Sequence, residues 1–220
     1  RGGGTFSKIT AGWECMKKAG YSLEGFCVTL NEANIDRIDE AFFDWGNQNG
    51  FRHLRIDVDI LTLSTLPLDT VIEKILAFRA YGKARNIEVF GFWSRALENL
   101  NDSILETDVA FCGAVRGNNI CVAPSGEIVP CGYSNHRIGH MQSRGDFFDE
   151  QGDYVSFMSK NANGSLAACR GCMIEGQCAG GCQITREYAA TQIGSPVNER
   201  VCEFFRKMTE HLLLEQLASA

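Results

Sequence analysis

Apolar side chains early in the chain recur at helical spacing and predict an amphipathic helix. Thr5 is a good N-cap for this helix, and Gly20 is a natural end. A short apolar run over residues 25–30 follows and predicts a buried strand. The inner stripe of the helix is predicted to consist of Phe6, Ile9, Trp13 and Met16.

A second helix is predicted between asparagines that favour helix starts and glycines that favour helix ends. Asn31 or Asn34 would begin it, and Gly46 or Gly50 would end it. The side chains expected on its inner face are Ile35, Ile38, Phe42 and Trp45.

Residues 53–60 read His-Leu-Arg-Ile-Asp-Val-Asp-Ile and alternate between apolar and polar side chains after the histidine. This period of two predicts a strand with one face in the core. Arg55, Asp57 and Asp59 share the other face. That face would look either into the polar interior of a barrel or into solvent from an edge strand, and the pattern leaves both open.

A third helix after Pro67 and a third strand over residues 87–92 complete an alternation of helices and strands. This alternation predicts β/α units around a parallel sheet, so we expect an α/β fold. Three strands are too few to close a barrel and would leave a bare edge. Residues 1–105 are therefore expected to be the later β/α units of a partial TIM-like barrel whose front lies upstream of Arg1.

From about residue 106 the sequence becomes rich in Gly, Cys, Asn and Ser, and residues 106–220 are expected to form a second, smaller α+β domain. Residues 119–123 and 127–131 flank a Pro-Ser-Gly turn and predict a β-hairpin. Cys121 lies on one arm and Cys131 on the other. A three-residue loop would place the two side chains on one face, and a two-residue loop would place them on opposite faces.

Two more helices are predicted in this half, one over residues 153–160 and one at the C-terminus after Cys202. The loop-like sequence between His136 and His140 favours exposed or hydrogen-bonded side chains over metal ligands. The inner side of the C-terminal helix is expected to carry Phe204, Phe205, Met208, Leu212 and Leu213.

Composition and charge exclude some classes of partner. The chain has 220 residues, of which 45% are hydrophobic and 22% are charged, as in ordinary globular proteins. The formal net charge of −6 gives no basic surface for nucleic acid. No apolar run approaches the ~20 residues that a membrane span needs. We therefore expect neither a nucleic acid nor a membrane as a partner.

Cysteine is the most unusual component of the sequence. The run from Cys169 to Cys182 has the spacing C-x2-C-x5-C-x3-C, and eight of the ten cysteines lie between residues 112 and 202. Disulfides between such near neighbours would close tiny loops and stabilise little, whereas metal binding needs thiolates close together. We therefore predict metal ligands in a reducing compartment, with Cys15 and Cys27 left to packing.

The full pattern is Cys112-x13-Gly126-x4-Cys131, a gap, the four-cysteine run, and Cys202 after 19 further residues. It closely resembles the seven-cysteine signature of SPASM domains. These domains are C-terminal extensions of radical S-adenosylmethionine (SAM) enzymes and carry auxiliary iron–sulfur clusters. The first half is similar to the later β/α units of the partial barrel that precedes them.

The resemblance implies two auxiliary [4Fe–4S] clusters. Cys112, Cys131 and Cys182 would hold the first. In fully ligated relatives an extra cysteine completes this site, and Cys121 is the candidate; in other relatives one iron stays open, and Cys121 would only pack in the hairpin. The implied ligands of the second cluster are Cys169, Cys172, Cys178 and Cys202.

The same resemblance implies a cytoplasmic oxidoreductase that matures peptides. Its substrate would be a ribosomally made peptide or a protein, crosslinked through a carbon–carbon or thioether bond, and its electron donor a flavodoxin or ferredoxin. Arg55, Asp57 and Asp59 would face SAM or substrate in the barrel. The Cys-x3-Cys-x2-Cys motif that holds the third, SAM-cleaving cluster is absent from these residues, so SAM cleavage belongs to an upstream part of the parent enzyme. Gly132 stands where sulfatase-maturating relatives carry Asp, which argues against that branch.

Two alternatives stay open. The cysteines could bind structural zinc and only hold loops together, since C-x2-C spacing is common to both kinds of site. The clusters could also serve an electron-transfer module that has no radical chemistry.

Overall fold

The structure is a computed structural model that describes residues 4–59, 62–97, 110–143, 149–192, 194 and 198–219. The chain divides into two compact units, Arg1–Phe92 and Trp93–Ala220. Both mix helices with a small three-stranded sheet. The predicted boundary between residues 105 and 106 lies outside the described residues. Within the described part, no helix combines the length and the apolar character that crossing a membrane requires.

The sheet of the first unit is parallel, as the alternation of helices and strands predicted. Its strands are β1 (Gly25–Leu30), β2 (His53–Val58) and β3 (Glu88–Phe90), in the order β1-β2-β3. Gly25 lies opposite His53, and His53 lies opposite Glu88. Because β2 has a partner on both sides, the edge-strand interpretation of residues 53–60 is wrong.

The helices of the first unit are α1 (Thr5–Lys18), α2 (Glu40–Gln48), α3 (Thr62–Thr65) and α4 (Leu68–Lys83). The prediction of α4 after Pro67 is confirmed. Proline suits this place because the first N–H groups of a helix have no partner within the helix. The helix buries a mostly apolar side, which consists of Leu68, Val71, Ile72, Ile75, Phe78 and Gly82.

Two predictions about α1 are wrong. The N-cap is Gly4, in a left-handed conformation with φ 81°, and Thr5 is the first helical residue. Of the predicted inner stripe only Trp13 is buried, against the ring of Phe51 at 5.4 Å between centroids. The other members of the stripe, Phe6, Ile9 and Met16, are exposed.

The predicted start of α2 is also wrong. Asp39 caps the helix, and its Oδ1 accepts a hydrogen bond from the Phe42 N–H at 3.2 Å. The Asn31 N–H instead donates to Asn34 Oδ1 at 2.9 Å within a turn. Asparagine side chains bond to nearby backbone as readily in turns as at caps, so the residue type alone misled the prediction.

The predicted strand over residues 25–30 forms as β1, but it is buried only at Leu30. Among the described residues the strand pairs with β2 alone, so its other edge has no partner there. Cys27 on this strand and Cys15 on α1 are both exposed. Their assignment to packing is therefore wrong.

The second unit contains an antiparallel sheet and several short helices. The sheet strands are β4 (Cys121–Val122), β5 (Glu127–Val129) and β6 (Gly139–His140), in that order. The helices are α5 (Gly113–Arg116), α6 (Asp153–Asn161), α7 (Glu175–Cys178), α8 (Gln183–Gln192) and α9 (Glu199–Ser219). The predicted hairpin and the predicted helix near residue 153 are confirmed, whereas β6 and α8 were not predicted.

The hairpin has a three-residue loop. The Ala123 N–H donates to the Glu127 carbonyl at 2.8 Å, which leaves residues 124–126 as the connection. Cys121 is paired with Val129, two residues before Cys131. Cys131 follows the end of β5 in a bend, and a Cβ at Gly132 would stand 3.7 Å from Cys121 Sγ, so Cys121 lies close to the segment that carries Cys131.

Apolar packing joins the hairpin to α5 and α6. The Tyr154 hydroxyl reaches the carbonyl oxygens of Asn119 at 2.6 Å and Ala114 at 3.0 Å, which ties α6 to the segment that enters the hairpin. The buried cluster that these elements form consists of Ala110, Val115, Ile128, Ile138, Tyr154 and Phe157.

The C-terminal helix begins at Glu199, so Cys202 lies inside it. Leu213 on this helix is exposed, so its predicted place on the inner side is wrong.

We expect Gly82→Ala to lower the free energy of unfolding by about 1–3 kcal/mol, because overpacking displaces neighbours. A Cβ at Gly82 would stand 2.5 Å from the Ile87 carbonyl oxygen and 2.5 Å from Val89 Cγ2. Gly12→Ala is the matched control, since nothing lies within 4 Å of a Cβ there. This control should stabilise the protein by about 0.5–1 kcal/mol. Urea titration measures both; equal effects would contradict the close approach of α4 to β3.

Candidate metal centre

Four cysteines from three segments line one cavity in the second unit. Cys169 ends a short 3-10 helix, Cys172 follows it in a turn, and Cys178 ends α7. Cys202 comes from α9. The cavity has a volume of about 40 Å³, several times what one water molecule needs. The rest of its wall includes Arg186 and apolar side chains such as Ile174 and Phe205.

The turn between Cys178 and Cys182 is tightly wound. Ala179, Gly180 and Gly181 all have positive φ, at 50°, 77° and 68°. A Cβ at Gly180 would meet Leu166 Cδ1, so a side chain there would displace the end of the Leu166 side chain. Ala179 carries a Cβ, so its positive φ is a local strain, of a kind that clusters at functional sites.

Burial raises the pKa of the thiols around this cavity. The pKa of Cys178 is raised to about 12, first by burial and then by the nearby thiols of Cys202, Cys169 and Cys172. Burial is also the main cause that raises the pKa of Cys169 and of Cys202. A thiolate is therefore unfavourable here without a compensating positive charge. A metal ion supplies such a charge.

A second group of cysteines, Cys112, Cys131 and Cys182, lies near the start of α8. Burial raises the pKa of Cys182, and the thiols of Cys112 and Cys131 add to that effect. The backbone N–H groups of Thr185 and Ile184 lower the pKa of Cys182 in part. Helix N-termini favour negative charge, so this end of α8 suits a ligated thiolate.

Cys121 belongs to the same neighbourhood. The pKa of the buried Tyr154 hydroxyl is raised, first by burial and then by the nearby side chains of Cys112 and Cys121. A Cβ at Gly132 would stand 3.7 Å from Cys121 Sγ, so the sulfur lies against the backbone next to Cys131.

A buried polar network joins the hairpin to α8. The Gln183 side-chain amide donates to Ser134 Oγ at 3.1 Å and to the Glu187 carboxylate. The Ser134 hydroxyl donates to the same carboxylate at 3.2 Å. Because Ser134 follows Cys131 by three residues and Gln183 adjoins Cys182, this network holds the two cysteine-bearing segments together.

Arg186 lies beside both groups of cysteines. It is buried, and its guanidinium donates to the carbonyls of Gly180 and Gly181 and to Asn161 Oδ1. Burial is the main cause that lowers its pKa, and nearby thiols from both groups oppose that shift. Neither Arg186 nor Gln183 was among the predicted site residues. Their only sequence signal is a three-residue spacing that places two polar side chains on one face of a helix.

The thiols line a wall and do not meet at one point. Across the ranges that the structure describes, no group of three or more His, Cys, Asp or Glu side chains is arranged to hold a metal ion. Two histidines of this unit, His136 and His140, are engaged elsewhere. His140 Nε2 is 3.1 Å from the Ser125 carbonyl oxygen, as the hydrogen-bonded interpretation predicted, and His136 packs against the Phe157 ring.

The polar residues predicted for a barrel interior lie in the first unit. Arg55 Nε forms an ion pair with Asp57 Oδ2 at 2.8 Å, and the Arg55 guanidinium stands 4.4 Å from the centre of the Phe92 ring. Asp57 Oδ1 also accepts from the Phe92 N–H at 3.0 Å. Arg55, Asp57 and Asp59 are all half-buried. Two of the three are thus engaged with each other, as in a structural ion pair.

A scan of protein-family models finds none that matches this chain, and no curated protein matches it at a significant level.

In the folded, reduced, metal-free chain at pH 8, we expect iodoacetamide to modify Cys15 well before Cys178. With a pKa of about 12, roughly one Cys178 in ten thousand is a thiolate at this pH. Raising the pH should speed the reaction of Cys178 because its thiolate fraction grows. Peptide mass spectrometry measures both sites. Denaturation in urea is the control and should make the two rates similar; equal rates in the folded chain would contradict the burial of Cys178.

Proposed function

We propose that this chain is the C-terminal part of a radical SAM/SPASM peptide maturase. Residues 106–220 would form the SPASM domain, and residues 1–105 the later β/α units of the partial barrel. The observation that carries the proposal is the cavity lined by Cys169, Cys172, Cys178 and Cys202. Three of these residues come from the C-x2-C-x5 run and the fourth from a helix 24 residues after Cys178.

The residues present fit a pair of [4Fe–4S] clusters. Four cysteine thiolates are the usual ligands of such a cluster, and each group supplies four cysteines when Cys121 is counted. Cys121 would complete the first group, because its sulfur lies against the backbone at Gly132, next to Cys131. The first group would be Cys112, Cys121, Cys131 and Cys182, and the second Cys169, Cys172, Cys178 and Cys202.

Backbone N–H groups near the sulfur atoms also suit clusters. The N–H of Gly181 lowers the pKa of Cys178 in part, and those of Thr185 and Ile184 lower the pKa of Cys182. N–H groups close to sulfur stabilise negative charge on it and adjust the reduction potential of a cluster. The Gly181 N–H belongs to the turn between these cysteines, whereas the other two belong to the first turn of α8.

Open surfaces of the first unit agree with a larger barrel. Among the described residues β1 has one unpaired edge, and Phe6 and Ile9 on α1 are exposed at 57% and 61%. Further β/α units would pair the edge and cover the helix. On this proposal Arg55, Asp57 and Asp59 would face the barrel interior, near SAM or substrate.

The reaction proposed for the parent enzyme is a crosslink between side chains of a ribosomally made peptide or of a protein, through a carbon–carbon or thioether bond. Bound auxiliary clusters would supply one-electron acceptors for this oxidation. The parent enzyme would also need SAM, a third [4Fe–4S] cluster and a flavodoxin or ferredoxin as electron donor. A reducing compartment, the cytoplasm, suits ten cysteines that form no disulfide in the described residues.

Iron and sulfide analysis of the anaerobically reconstituted chain tests the proposal. We expect about eight irons and about eight sulfides per chain, and a brown colour that dithionite bleaches. Cys202→Ala should lose about half of the iron because it removes a ligand of one site. Cys15→Ala is the matched control on an exposed helix position and should keep all of it.

A colourless chain with stoichiometric zinc would contradict the proposal and favour a structural zinc module. Full iron content in Cys202→Ala would contradict the assignment of the second group.

A further inference from the structure

Arg186 is a buried cation with neutral hydrogen-bond partners. Only 9% of the residue is exposed. Its guanidinium donates to the carbonyl oxygen of Gly180 at 2.5 Å and to that of Gly181 at 3.0 Å. It also donates to the amide oxygen of Asn161 at 2.5 Å. No carboxylate among the described residues forms an ion pair with it. A buried charge without a counter-charge is strongly unfavourable, so the site favours the binding of a negative partner.

The groups that can supply this negative charge are the cysteines. The thiols that act on Arg186 are, in order of effect, those of Cys169, Cys182, Cys178 and Cys112. Two of them belong to the cavity group and two to the group at the start of α8. Arg186 lines the cavity of the first of these groups, and its backbone N–H donates to the Cys182 carbonyl oxygen of the other at 3.4 Å. One guanidinium therefore lies close to both groups.

We propose that Arg186 is a positioning residue shared by the two cysteine sites, whose fixed positive charge raises the reduction potential of the cluster bound at each. This inference rests on the proposed function. Four thiolates give a bound cluster a net negative charge, which the guanidinium offsets in a medium of low dielectric constant. One electron from dithionite adds a further negative charge with no bond or proton involved, so a nearby cation favours the reduced state.

The hydrogen bonds of Arg186 offer a merely structural alternative, because they also brace the turn at Gly180 and Gly181. Charge and bracing are separable by substitution. Arg186→Gln removes the charge, whereas Arg186→Lys keeps the charge and loses the planar fork of donors. Arg170→Gln is the matched control, since it removes the same charge from an exposed position next to Cys169. Solvent and salt screen that position.

The experiment is a dithionite titration of the anaerobically reconstituted full chain, followed by electron paramagnetic resonance. In Arg186→Gln we expect the equilibrium constant for reduction to fall about tenfold at both sites, which is about 59 mV for a one-electron couple. Arg186→Lys and Arg170→Gln should stay close to the unsubstituted chain.

Unchanged potentials in an Arg186→Gln chain that keeps its iron would overturn the inference while leaving the proposed function intact. Absence of iron–sulfur clusters from the unsubstituted chain would instead reject the proposed function. Loss of iron from Arg186→Gln alone would support a need for the charge. Loss from Arg186→Lys as well would overturn the inference in favour of bracing by hydrogen bonds.

Discussion

The free energy of burying sulfur is the constraint on which the second unit depends. Thiols are tolerated in an apolar setting, but thiolates are not unless a positive charge lies beside them. Burial raises the pKa of Cys169, Cys178, Cys182 and Cys202 alike. Such a group of cysteines is either an inert, protonated patch or a site that becomes ionised when a metal centre enters. In the second case metal binding contributes directly to the stability of the fold.

Several features of the chain reduce the cost of that ionised state. The Gly181 N–H in the left-handed turn before Cys182 lowers the pKa of Cys178, and the first N–H groups of α8 lower the pKa of Cys182. The network of Ser134, Gln183 and Glu187 fixes the hairpin to this helix. The short strands and helices of the unit bury a modest apolar cluster, so its loops need these polar connections to hold the cysteines together.

Sequence patterns predicted the elements whose hydrophobic period is clear, as for α4 and β2. They failed where local hydrogen bonding decided the outcome, as at Asn31 and Asn34, which hold a turn and not a helix cap. They also failed for α8, whose buried residues include Gln183 and Arg186. Polar side chains on an inner face give no apolar stripe, so hydrophobic periodicity cannot detect them. The resemblance to SPASM domains implied the two proposed ligand sets but could not show the Arg186 guanidinium beside both groups of cysteines.

The most direct test of the account is anomalous X-ray scattering at the iron edge from crystals of the anaerobically reconstituted protein. We expect two iron peaks, one inside the cavity lined by Cys169, Cys172, Cys178 and Cys202, and one among Cys112, Cys121, Cys131 and Cys182. A signal at the zinc edge in these positions, or iron bound away from the cysteines, would contradict the account.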